Sequence, residues 1–290
     1  MPEWRLIERG FADTLGEGTL WSARDNAVYW VDILAPALNR LSLKDGALES
    51  GAVERFAMPE PLGWVAEREA GGFIGGFQSG FADIALDPLV ITPFGDPEPH
   101  FPGNRMNDGK ADAQGAIWCG TMDMSESHDR GALYRLAPDR SWTVVDSDYR
   151  VPNGPAFSPC GQWLYHSDTA KKQMYRFRRT EDGVTERAPF IRFGEEDGYP
   201  DGMTVDADGH IWVAHWGGSR ISRFTPEGTL DRAIALPARQ VTNITFAGPN
   251  LDRMFVSSAT VGLDDPTEYD GGFFEVDSGV RGLPANLYAG

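Results

Sequence analysis

Three segments of the chain, RMNDGKADAQGAIWCG (105–120), VPNGPAFSPCGQWLYH (151–166) and YPDGMTVDADGHIWVA (199–214), are written in one frame. In each, a polar residue (Asn107, Asn153, Asp201) is followed eight positions on by glycine and eleven positions on by a large apolar side chain (Trp118, Leu164, Trp212). Weaker versions open at Glu17 (LGEGTLWSARDNAVYWVD), near Trp64 (LGWVAEREAGGFIGGF) and at Asn243 (VTNITFAGPNLDRMFVSS). Six copies at a period of about 45 residues restrict the chain to a repeat architecture.

Every copy reads as short strands. The opening residue precedes a brief apolar run and a turn, then an apolar strand (AVYWVD, FIGGF, AIWCG, WLYHSD, IWVAHW, MFVSSA) and a third run such as ALYRLA or ISRFTP. The DG, EDG and PEG clusters between them carry hairpin chemistry. No segment has the period of a long amphipathic helix. Repeats of this length built from strands predict an all-β fold, a six-bladed β-propeller in one domain over 1–290, because a parallel β-helix repeats at much shorter intervals. The N-terminal WRLIERG is predicted to be an outer strand that closes the last blade. The 34 glycines and 20 prolines suit such a turn-rich chain.

A net charge of −17 disfavours nucleic acid and anionic membrane surfaces as partners, and is compatible with a small neutral ligand or a divalent cation. MPEWRLIERG lacks the basic and apolar regions of a secretory signal, and no run approaches the ~20 apolar residues of a membrane span, so a cytoplasmic location is expected. Cys119 falls in a predicted strand and Cys160 in a turn, so they are expected to be free.

In a propeller the inner strand of each blade runs beside the central channel. The six openers, Glu17, Trp64, Asn107, Asn153, Asp201 and Asn243, should therefore form a ring in space. Five of them carry a side-chain oxygen. Asn and Asp also cap strand ends and turns, which would explain any one of them. As a set they form a hard-oxygen group suited to Ca²⁺, Mg²⁺ or Mn²⁺, with Glu17 and Asp201 able to neutralise a dication. Trp64 would shape an apolar wall or pack the channel. Asn243 reads as a strand-end cap or outer support, and His166 and His215 read as packed structural residues. The acidic runs GEEDG and GLDDPTEYDGG lack the spacing of a calcium-binding EF-hand loop.

The segments LGEGTLW (15–21), NRMNDGKADAQGAIWCGTM (104–122), VPNGPAFSPCGQWLYHSDT (151–169), YPDGMTVDADGHIWVAHWGG (199–218) and SSATVGL (257–263) resemble the senescence-marker-protein/gluconolactonase (regucalcin-like) family of sugar-acid lactonases. That resemblance implies a six-bladed propeller with one divalent metal at one end of the central channel, whether calcium, zinc, magnesium, manganese or iron(II). It implies metal ligands at Glu17, Asn153 and Asp201, substrate contacts at Arg105 and Asn107, and Asp201 as the acid–base carboxylate. Where animal members follow G-T-M with acids that include a substrate contact, this chain has GTMDMSESHDRG. Asp123 is the corresponding candidate, with Ser125 in the other place, and the loop is expected to set substrate preference.

The chemistry so implied is hydrolysis of an aldonolactone such as a glucono-, xylono- or arabinono-lactone. A cation would polarise the carbonyl, Asp201 would relay a proton between water and the ring oxygen, and Arg105 and Asn107 would hold hydroxyls. Two alternatives keep the fold: an esterase or organophosphatase of the paraoxonase or fluorophosphatase kind, and a non-catalytic calcium-binding or protein-docking propeller. No G-x-S-x-G elbow supports a serine nucleophile.

Overall fold

The computed structural model describes residues 3–44 and 47–290. It is all-β apart from one short 3₁₀ turn at Glu195–Asp197. Strand β1 is Trp4–Leu6. Then come β2 (Gly16–Ser22), β3 (Ala27–Asp32), β4 (Ala37–Lys44) and β5 (Ala47–Ala57). The next group is β6 (Leu62–Glu67), β7 (Phe73–Phe77), β8 (Gly80–Leu86) and β9 (Leu89–Gly95). A third holds β10 (Asn104–Ala111), β11 (Ile117–Asp123), β12 (Gly131–Leu136) and β13 (Trp142–Tyr149). A fourth holds β14 (Pro152–Phe157), β15 (Trp163–Asp168), β16 (Gln173–Arg179) and β17 (Val184–Arg192). The last strands are β18 (Tyr199–Val205), β19 (Ile211–Trp216), β20 (Arg220–Phe224), β21 (Leu230–Ala235), β22 (Gln240–Ala247), β23 (Arg253–Ala259) and β24 (Phe273–Val276).

The result is propeller-like, with antiparallel four-stranded units packed side by side. The expectation of six separate sheets needs correction. Hydrogen bonding separates four four-stranded sheets, and the other eight strands form one sheet. The cause is local: Trp216 at the end of β19 pairs with Gln240 at the start of β22. β1 pairs with β24, so the N-terminus joins the C-terminal strands in one sheet. The inner strands β2, β6, β10, β14, β18 and β22 each touch the next, and β22 returns to β2.

The repeated frame has a physical basis. Asp112 and Asp206 each use Oδ1 to accept two backbone N–H groups of the following turn. Oδ2 of each accepts the indole N–H of the tryptophan six residues on, Trp118 at 2.7 Å and Trp212 at 2.9 Å. Arg179 and Arg223 complete the two clamps. One acid thus shapes a turn and fixes a buried indole, while an outer arginine balances its charge. In the Asn153 copy, Ser158 replaces the acid: its hydroxyl accepts the Trp163 N–H and pairs with Cys160 Sγ.

Glycines let the inner strands converge. A Cβ on Gly63 would stand 2.6 Å from the carbonyl oxygens of Met106 and Asn107. One on Gly202 would stand 2.3 Å from Asn243 Nδ2 and 2.7 Å from the Thr242 carbonyl oxygen. Beside the inner strands lies a cavity of about 130 Å³, which the C-terminal residues Leu283, Pro284, Ala285 and Asn286 help to line. That segment is held by Gly282 N–H to Leu251 O, Ala207 N–H to Arg281 O, Tyr288 N–H to Glu67 O and Ala289 N–H to Gly115 O.

Both cysteines are free. No helix is long and apolar enough to cross a membrane. His166 is fully buried edge-on to Tyr149, with neither ring nitrogen partnered.

Two expectations follow. Gly202→Ala cannot be relieved by rotating one side chain, because the obstacle includes backbone; it should lower unfolding stability by roughly 1–3 kcal/mol in urea titrations. Burial, then Arg187, lowers the His166 pKa from its ordinary 6.5 to about 3. The unfolded chain therefore takes up this proton first, and stability from this residue is lost as pH falls from 6.5 toward 3, by about 1.4 kcal/mol per pH unit. Relative to wild type, His166→Leu should gain about 2 kcal/mol between pH 7 and pH 5. An unchanged difference would show that the ring is partnered.

Candidate active site

All six inner strands carry one extra residue against their neighbour at the same level. The extra residue lies between Glu17 and Leu20, Leu62 and Trp64, Met106 and Gly109, Asn153 and Ala156, Pro200 and Met203, and Val241 and Ile244. A bulge breaks the in–out alternation and re-aims side chains, here next to the channel. The openers do not hold one identical place in it. Glu17 and Asn153 are the last paired residues before the bulge, while Asn107, Asp201 and Asn243 lie inside it. Trp64 follows its bulge and is fully buried, its indole filling the space that side chains on Gly76 and Gly109 would need.

The polar residues are buried and joined. Arg105 donates from one guanidinium nitrogen to the Met106 carbonyl at 2.9 Å and to Asn107 Oδ1 at 2.7 Å. Asn107 Nδ2 donates to the Pro152 carbonyl at 2.7 Å and to Asn153 Oδ1 at 3.1 Å. Asn153 Nδ2 donates to Thr169 Oγ1 at 2.8 Å, and that hydroxyl donates to the Pro200 carbonyl at 2.6 Å, one residue before Asp201. The Glu17 carboxyl lies close enough to Asp201 to raise its proton affinity. Glu17 Oε2 also accepts from Asn243 Nδ2 at 2.9 Å, and Asn243 Oδ1 accepts from Thr19 at 2.8 Å.

Asp108 is the member that the sequence reading passed over. It is buried beside Asn107, accepting the Gly109 N–H at 2.8 Å and the Gly154 N–H at 3.1 Å. Its signal was the acid inside the same NDG tripeptide, with Lys110 two residues on. Lys110 donates to the Met203 carbonyl and lines the cavity beside the inner strands. Asp123 ends β11, and both its oxygens are spent inside its own loop. Oδ1 accepts from the Ser125 N–H at 3.0 Å and the Ser125 hydroxyl at 2.9 Å, and Oδ2 meets His128 Nδ1 at 2.7 Å.

Desolvation dominates the electrostatics. Burial, then the charge of Asp108, pushes the Glu17 pKa up to about 8. Burial, then Glu17 and Asp108, raises Asp201 well above the carboxylate range. Asp108 is raised by burial and partly restored by Lys110. Burial lowers Arg105 to about 10 against the opposing pull of Glu17, Glu126 and Asp201. Without a further cation, burial and proximity therefore favour a proton held by the Glu17 and Asp201 carboxyls.

Among the described residues no three His, Cys, Asp and Glu side chains gather as a metal cluster. The candidate donors are mixed instead: two carboxylates, and an Asn153 oxygen that keeps one lone pair after accepting from Asn107. Two buried, hydrogen-bonded carboxyls without an ion-pair partner suit a hard dication, which would displace a proton held there.

Comparison with known proteins gives one answer. Residues 15–260 match the model of the SMP-30/gluconolactonase/LRE-like region. The chain is 35% identical to a 6-deoxy-6-sulfogluconolactonase of Pseudomonas putida, over 84% of this chain and 83% of that one. It is 32% identical to an L-arabinolactonase of Azospirillum brasilense, over 96% and 93%. A regucalcin from Agrobacterium tumefaciens, solved as a calcium-binding protein, superimposes with a TM-score of 0.89 at 29% identity, covering 96% of this chain and 95% of that one. The chain belongs to the SMP-30/gluconolactonase/LRE-like family.

Proposed function

We propose that this protein is a carboxylic-ester hydrolase that opens an aldonolactone to its aldonic acid, using one divalent cation held by Glu17, Asn153 and Asp201. The observation that supports this reading is the buried hydrogen-bond chain from Arg105 through Asn107, Asn153 and Thr169 to the Pro200 carbonyl, which brings the amides beside Asp201 and Glu17. We read the eight-stranded sheet as two blades fused by the Trp216–Gln240 pair, which makes the molecule a six-bladed propeller with this site on its axis.

The cation would supply Lewis-acid polarisation of the lactone carbonyl. The residues do the rest. Relieved of its proton, Asp201 keeps an oxygen that can take a proton from water as the water oxygen bonds to the carbonyl carbon. When the carbon–oxygen bond of the ring breaks, Asp201 returns that proton to the leaving alkoxide. Arg105 presents its remaining N–H groups to ring hydroxyls or to the carboxylate formed in the product. Its bond to Asn107 holds the fork, and the bond from Asn107 to Asn153 fixes which amide oxygen faces the cation. Burial makes these groups strong because little water competes with them.

A pH-indicator assay over glucono-, xylono- and arabinono-lactones tests the proposal. Asp201→Asn should lose about 10²–10⁴-fold in kcat with an unchanged circular dichroism spectrum. Arg105→Ala should act mainly on KM. Chelation to a verified metal-free state should abolish turnover, and adding back one divalent ion should restore it. Full activity in the verified metal-free protein would overturn the reading.

A further inference from the structure

We propose that Glu126 is a specificity-determining residue that makes the site favour uncharged aldonolactones over rings carrying a second anionic group such as a sulfonate, phosphate or carboxylate. This rests on the lactonase reading above and deepens it. The first observation concerns the loop after β11. Asp123, Ser125, Ser127 and His128 tie it into a knot: besides the bonds of Asp123, the Ser125 and Ser127 hydroxyls lie 2.5 Å apart and Ser127 Oγ lies 3.0 Å from His128 Nδ1. Asp123, with both oxygens engaged, acts as the knot's hub. The acid left over is Glu126, exposed at the tip with φ of 53° and its N–H on the Asp123 carbonyl at 2.9 Å.

The loop's placement keeps that acid near the site. Arg105 on β10 pairs with Met122, the residue before the loop, and the Met124 N–H holds the Gly103 carbonyl at 2.9 Å. Glu126 accordingly stands close enough to support the guanidinium charge, together with Glu17 and Asp201.

The second observation lies on the other flank of Arg105. A cavity of about 310 Å³ reaches it from between the second and third sheets, with Glu60, Asp96, Glu98 and Phe101 in its wall. Glu98 accepts from Thr121, Tyr134 and Asn104, and Glu60 accepts from Ser79, all neutral donors. Among the described residues none of these three acids is in an ion pair, and Arg105 is the only cationic residue lining the cavity. Arg105 thus has Glu126 on one neighbouring loop and three carboxylates in the cavity wall, and no second cationic residue lines that cavity to hold a second anion. A negative entrance lowers the local concentration of an anionic ring and leaves a neutral one unaffected.

The test uses the full chain with its activating metal ion. Compare kcat/KM for gluconolactone with that for the same ring bearing a sulfonate or phosphate at carbon 6, at low and at 0.5 M salt, a concentration chosen to screen on the order of a few ångströms. Wild type should prefer the neutral ring at low salt, and salt should shrink the preference. Glu126→Gln should narrow the ratio by about 3–10-fold, chiefly through KM for the anionic ring, and Glu126→Lys should narrow it further. Glu181→Gln, in the exposed β16–β17 hairpin, should leave the ratio as in wild type. Equal use of both rings without salt dependence, or a ratio unmoved by Glu126→Gln, would overturn this inference while the lactonase reading stands. Failure to hydrolyse any lactone would overturn both.

Discussion

Burying carboxylates without cations of their own is the constraint on which the structure turns. Glu17, Asp108 and Asp201 come from three different sheets and lie almost out of water around one axis. In bulk water their mutual repulsion would be small; here desolvation and proximity multiply it. Among the described residues, Arg105 and Lys110 are the cations that oppose them within the site. Three negative groups against two positive ones leave a residual charge, which a proton or a bound dication would satisfy. A fold that served only itself would do better with apolar residues at these positions, since replacing buried charge by well-packed side chains is commonly neutral or stabilising.

The architecture supplies what such a site needs. The bulges in β10, β18 and β22 free Asn107, Asp201 and Asn243 from the in–out alternation of their strands, and glycines such as Gly63 and Gly202 let neighbouring backbones approach to contact. Away from these polar residues the stability comes from elsewhere, from apolar clusters between sheets such as Tyr29, Leu38, Phe73 and Ile84, and from the Asp–Trp–Arg clamps at the turns. That separation keeps the functional residues from having to stabilise the molecule that carries them.

The repeat made much of this legible in advance. Strand order, turn positions and the inner placement of Glu17, Asn107, Asn153 and Asp201 all follow from one frame that recurs with hydrophobic periodicity. What stayed hidden depended on register. A one-residue bulge does not alter composition or spacing, so the frame could not say that Asn153 precedes its bulge while Asp201 sits inside one. Asp108 was masked by its neighbour, because alternation alone would send adjacent residues to opposite faces, and only the bulge brings both Asn107 and Asp108 inward. Trp64, read as an opener, proved to be packing, since glycines at 76 and 109 leave room for its ring. The joining of the last strands into one eight-stranded sheet turns on a single backbone pair, Trp216 with Gln240, that no side-chain pattern encodes.

The two cavities beside the polar residues are lined differently, and this shapes how the site meets its surroundings. In one, Leu283 to Asn286 share the wall with Lys110 and Asp108, in a segment held by backbone hydrogen bonds to strands and turns from separate sheets. At the other, loops that follow β9 and β11 flank Arg105. Backbone-held segments resist local opening more than side-chain-tied loops do, so variation at the second cavity is the cheaper way to change what enters. The carboxylates on the axis fix which chemistry the molecule can perform; the charges carried by those flanking loops act one step earlier, on which ring arrives. A chain can therefore keep Glu17, Asn153 and Asp201 in place and still alter its preference through a residue such as Glu126, whose exposed position costs the fold little.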